Sequence, residues 1–121
     1  MAGLASVPTS GSMAQKKKDE ELFVHHVYFW MKDGHTSEDK AKLLEGLNSL
    51  KKVETIKMVH VGKPASTNRD VIDTSYQYSL MLVFKDLADQ EVYQKHPVHL
   101  DFVKNYSHLW SKVIVYDSVN A

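Results

Sequence analysis

The segment Tyr93-Gln94-Lys95-His96-Pro97-Val98-His99 places a phenol and two imidazoles around one proline. Proline suits the first turn of a new helix but not the interior of an old one, so one helix ends near Lys95 and another begins. His99 then sits in the first turn of the second helix, where the positive end of the helix dipole disfavours imidazolium. A neutral imidazole is the form a general base requires. Tyr93 lies about one turn before the break, and its hydroxyl can donate to a carbonyl or a developing enolate. A purely structural role stands beside this one, in which Tyr93 and His96 close the helix junction by hydrogen bonding. The His96/His99 pair supplies only two metal ligands, fewer than zinc needs, and no metal is expected.

His25 lies in the apolar run Leu22 to Met31, which is rich in β-branched and aromatic residues and reads as a strand. Alternation puts Phe23, His25, Val27, Phe29 and Met31 on one face and Leu22, Val24, His26, Tyr28 and Trp30 on the other. A lone histidine on an apolar face is ordinarily a satisfied core residue; convergence with His99 makes it a third candidate. Val27, Phe29, His96, Phe102, Tyr106 and Trp110, with Tyr76 and Tyr78, are expected to line an adjoining cavity, since ligand pockets are mostly apolar with a few polar groups. No Gly-rich phosphate loop, Gly-x-Ser-x-Gly elbow or usefully spaced carboxylate pair occurs. No cofactor is expected.

The elements that must position these residues follow from pattern. Thr36 or Ser37 caps a helix, with Asp39 at capping-box spacing from Thr36. Ala41, Leu43, Leu44, Leu47 and Leu50 recur along it at helical spacing. Strands are expected at Val53 to Val61, Tyr76 to Phe84 and Val113 to Tyr116. Asp86 caps a helix to about Lys95, and Val98 to Trp110 is the next. The order β-α-β-β-α-α-β is a split-βαβ, ferredoxin-like α+β arrangement with its second helix broken in two. The first strand is apolar on both faces, and so small a domain covers only one with helices. The other face predicts a second subunit.

The chain has 121 residues, which as a prior is one domain. Fifteen Lys+Arg balance fifteen Asp+Glu, an argument against nucleic-acid or anionic-membrane binding. Apolar residues at 43% and charged residues at 25% are ordinary globular values. The absence of cysteine excludes disulfide scaffolds, Fe–S centres and thiol nucleophiles. No apolar run approaches the roughly 18 residues of a membrane span and no signal peptide is evident, so a soluble cytoplasmic protein is expected. Residues 1–21 read as a disordered leader. Its first twelve residues resemble a cloning scar before Met13. The domain is expected over residues 22–118.

His25 with Lys32-Asp33-Gly34, Val61-Gly62-Lys63, the strand ending in Phe84, Tyr93 with His96-Pro97-Val98-His99, and Val113-Ile114-Val115-Tyr116-Asp117 together resemble the stress-responsive A/B barrel (Dabb) family. The resemblance covers about Phe23 to Ser118, and Tyr-x-x-His-Pro-x-His is its specific part. It implies a ferredoxin-like βαββααβ protomer that dimerises sheet against sheet into a dimeric α+β barrel. The family's best-defined activity is that of olivetolic acid cyclase, a cofactor-free intramolecular aldol condensation of a linear polyketide. By alignment, the resemblance assigns its tyrosine and histidine pair to Tyr93 and His99, its first-strand histidine to His25 and its pocket tryptophan to Trp110. Two functions are therefore expected in competition. One is a homodimeric enzyme acting on a small apolar or aromatic carbonyl-bearing molecule. The other is a non-catalytic stress-response protein that works as a stable dimer or ligand binder.

Overall fold

The computed structural model describes residues 21–121; all but the last residue of the expected leader lies outside the described residues. Strand β1 (Phe23–Met31) leads through a turn at Gly34, whose φ of 81° favours glycine, into helix α1 (Ser37–Ser49). The capping box forms: Thr36 Oγ1 accepts from the Asp39 N–H at 3.1 Å, and Asp39 Oδ2 accepts from the Thr36 N–H at 3.0 Å. Strands β2 (Ile56–Gly62) and β3 (Tyr78–Phe84), helices α2 (Leu87–Lys95) and α3 (Pro97–Tyr106), and strand β4 (Trp110–Val119) complete the chain. The sheet is antiparallel with order β2-β3-β1-β4, the ferredoxin-like arrangement expected from the element order.

Burial along β1 alternates without a break. Phe23, His25, Val27, Phe29 and Met31 are buried, while Val24, His26, Tyr28 and Trp30 are half-buried. The apolar members of that buried set, Phe23, Val27, Phe29 and Met31, join Leu43, Leu47 and Leu50 of the first helical region, Leu80, Leu82 and Phe84 of β3, Tyr93 and Phe102 in one core. Ala41 and Leu44 are exposed instead, because the core-facing stripe of α1 runs through Leu43, Gly46 and Leu47. Gly46 admits the Tyr106 ring: a Cβ there would lie 2.7 Å from its carbons.

Several expected boundaries move. Val53 is buried at the end of a 3-10 turn (Leu50–Lys52), and β2 starts only at Ile56. Helix α3 stops at Tyr106, and Trp110 opens β4 rather than closing the helix. The reason is pairing: β4 follows β1 along its length, from Trp110 opposite Met31 to Val119 opposite Phe23, so the strand outruns its own apolar core of Val113 to Tyr116. Tyr76 falls before β3 and packs on the far side of the sheet, against Tyr28 and Trp30, because Gln77 leaves the alternation to accept from the Met31 N–H at 2.6 Å. Tyr78 is a core residue whose hydroxyl donates to the Lys40 carbonyl at 3.1 Å. Among the described residues no helix is long and apolar enough to cross a membrane.

Candidate active site

Asp86 starts α2 by accepting from the Asp89 N–H at 2.9 Å, which phases Gln90 and Tyr93 onto the buried side. Pro97 has no N–H to continue that helix, and His96 before it is extended (φ −67°, ψ 139°). His96 then becomes the N-cap of α3. Its Nδ1 accepts from the Val98 N–H at 3.0 Å, leaving Nε2–H to donate to Glu54 Oε1 at 3.2 Å. These two bonds turn the ring away from the cavity expected to include it, so His96 fixes the junction and does not line the pocket.

His99 is the third residue of α3, in the first turn as expected. Its Nδ1 lies 3.1 Å from the Gln94 carbonyl, which can only accept. Nδ1 therefore carries the proton and Nε2 the lone pair. The pKa of His99 is lowered, first by burial and then by the nearby His25, against an opposing contribution from the Gln94 carbonyl. Burial thus leads where the sequence pointed to the helix dipole.

The Tyr93 ring stands between the two histidines, with centroids 4.7 Å from His99 and 5.8 Å from His25. Tyr93 is buried, and burial pushes its phenol well above the ordinary value. It is a hydrogen-bond donor, not a phenolate, at any ordinary pH. Its hydroxyl has no hydrogen-bond partner among the described residues. His25 donates from Nδ1 to Asp117 Oδ1 at 2.7 Å, an acidic partner that the sequence reading left without a role. Residues 25 and 117 are register partners across β1 and β4, so the pairing is fixed by the sheet.

These three side chains border one pocket of about 200 Å³ between sheet and broken helix, together with Val27, Phe29, Phe102 and Trp110. Phe29, Phe102 and Trp110 form its aromatic end, with Trp110 centred 5.1 Å from Phe29 and 5.5 Å from Phe102. Val113 and Val115 of β4 form the outer wall. Tyr106 is not part of the lining: it stacks on the far side of Phe102 over Gly46. Among the described residues no group of three or more His, Asp or Glu side chains gathers as a metal site would.

A ferredoxin-like α+β protomer with a pocket of phenol and imidazoles at a proline-broken helix defines the class. The model of the stress responsive A/B barrel domain (Dabb) matches residues 23–120, and the chain belongs to that family. No curated protein matches it. Among solved structures it is similar to a Dabb family protein with a ferredoxin-like fold from Mesorhizobium loti, at 21% identity over 84% of this chain and 99% of that one (TM-score 0.69). It is also similar to a dimeric ferredoxin-like protein of unknown function from Thermobifida fusca, at 14% identity over 84% and 92% (TM-score 0.69). A third is the hydroxynitrile lyase from Passiflora edulis, at 17% identity over 84% and 95% (TM-score 0.70). At these identities the likeness is one of fold.

Proposed function

We propose that residues 22–118 form the domain of a cytoplasmic homodimer whose pocket carries out cofactor-free proton transfer on a small apolar or aromatic carbonyl compound, of the polyketide cyclase type. The observation that carries this reading is the convergence of His99, Tyr93 and His25 on one pocket, with the His99 lone pair left on Nε2. His99 Nε2 takes a proton from the carbon next to a carbonyl, and the Tyr93 hydroxyl donates to the enolate oxygen that forms. The enolate carbon then bonds to a second carbonyl carbon of the same molecule. The resulting alkoxide takes the proton back from the His99 imidazolium, so no co-reactant is consumed. Asp117 holds His25 with its other ring edge towards the same pocket.

The dimer reading is supported by the open face of the sheet, where half-buried Val24, His26, Tyr28 and Trp30 adjoin exposed Tyr116 and Met58. A contiguous apolar face of this kind marks an interaction surface. Relatives of the same fold are described as dimeric, and one as a lyase, which agrees with both halves of the proposal.

Screening the protein against poly-β-ketone surrogates and a panel of aromatic carbonyl compounds tests it. Turnover that His99→Ala and Tyr93→Phe each lower by about 10² to 10⁴ supports the proposal. Ligand binding without turnover favours the non-catalytic stress-response reading instead.

A further inference from the structure

Two histidines on the open face of the sheet take no part in the site at His99. Antiparallel register sets Tyr116, His26, Met81 and His60 side by side in one row across β4, β1, β3 and β2. At the usual strand spacing of about 4.8 Å, the two histidine backbones stand about 10 Å apart with Met81 between them. The His26 ring stacks on Tyr28 of the same strand, centroids 4.6 Å apart at 27°, and the Tyr28 hydroxyl lies 3.5 Å from His26 Nδ1. The His60 ring lies over Gly62: a Cβ there would come within 2.8 Å of its Cε1 and 2.9 Å of Ser79 Oγ. Gly62, Ser79 and Tyr28 form the neighbouring row, so both imidazoles adjoin it.

No acidic side chain stands in the rows around this pair. On the open face β1 offers Tyr28, β4 offers Tyr116 and, further along, Lys112, and β2 offers His60, with Lys57 at its bulge. From β3 come only Ser79, Met81 and Val83. Asp73 reaches the face at its Trp30 end, where Lys112 acts on it. Asp117 points to the opposite face, where it holds His25. The pKa of His26 is lowered, first by burial and then by His60, even with the face open. A second copy laid on this face removes more water. Because a two-fold interface is self-complementary, it brings the same pair and no carboxylate from its own sheet.

We propose that His26 and His60 make the homodimer acid-sensitive: their protonation places four imidazolium charges inside one sheet-to-sheet interface and separates the protomers. This rests on the dimer reading above. Neutral imidazoles suit the interface, since each keeps one donor and one acceptor and has no charge to desolvate. Charged ones find no acidic partner there, and an unpaired buried charge is far costlier than a neutral polar group. The free protomer, with its face in water, binds these protons more readily than the dimer does. By linkage, dissociation takes up protons and is favoured as pH falls. Since each protomer carries the same pair, the effect enters twice.

Sedimentation of the full chain at about pH 7.5 and about pH 5.5, either side of the ordinary histidine value of about 6.5, tests this. The wild-type dissociation constant is expected to rise at least about tenfold on acidification, which a pKa difference of about one unit at His26 of each protomer suffices to produce. His26→Phe keeps a ring against Tyr28 but cannot take a proton, and His26→Gln keeps the polarity without the charge. Each of these, combined with His60→Gln, should hold its dimer unchanged over the same range. Dispersed amide spectra at both pH values establish that every protein is folded. A wild-type dimer equally tight at both, or an acid weakening that survives the double substitutions, overturns the proposal while the dimer stands. A wild type that is monomeric at the higher pH strikes the dimer reading itself, and this inference falls with it.

Discussion

His25 and Asp117 are 92 residues apart in the chain, yet the antiparallel register of β1 and β4 sets them opposite one another, Nδ1 to Oδ1 at 2.7 Å. The imidazole is buried and the carboxylate side chain is 45% exposed. Asp117→Ala leaves a buried N–H without its acceptor, although water can reach the vacated site. The expected cost is about 1 kcal/mol in urea unfolding. The His25 imidazole nitrogens should shift in NMR as the ring loses its fixed tautomer, and an unchanged spectrum would show that Asp117 does not orient it.

Burial lowers the pKa of His99, so the folded state binds its proton less readily than the unfolded chain. Its contribution to stability is full above the ordinary value of about 6.5 and is lost as pH falls from there through the folded value. Side-chain NMR should place the His99 midpoint below about 6.5. Any activity should decline on the acid side with that same midpoint. A normal or raised midpoint counts against His99 as the base.

His96 caps α3 through the Val98 N–H and reaches Glu54 from its other nitrogen. His96→Ala removes both, at an expected cost of about 0.5–2 kcal/mol. His96→Asn should recover most of it, since asparagine is a strong N-cap and the loss lies in the cap, not in chemistry. Thermal or urea unfolding of the two variants decides this.

The open face predicts a homodimer that buries more than about 1,200 Å² in total. Sedimentation at micromolar concentration should give the dimer. Val24→Asp, which sets a charge on that face, should shift it towards monomer. A wild-type monomer whose stability does not change on dilution contradicts the interface.

Much of this was legible in the sequence because it is local. Period-two alternation assigned His25 to the buried face of β1, and Pro97 alone located the break that puts His99 in a first turn. Asp117 was not legible as a partner, since its role arises from strand register between distant segments. Tyr106 and Tyr76 were misassigned for similar reasons. A helix stripe does not say that a glycine on a neighbouring helix will receive the Tyr106 ring, and alternation does not say that Gln77 will break it. Trp110 reached the pocket from a strand instead of a helix, because β1 extends β4 beyond its own apolar residues.

The central claim is that His99 abstracts a proton from carbon beside a carbonyl while Tyr93 steadies the enolate. Deuterium uptake at that carbon, followed by NMR for a 1,3-diketone surrogate in D₂O, measures this step without requiring ring closure. The wild-type protein should accelerate exchange saturably. His99→Ala and Tyr93→Phe, with fold and dimer intact, should each lose about 10² to 10⁴ of that acceleration. Exchange by the wild type no faster than buffer, or acceleration that survives both substitutions, would contradict the assignment of the site.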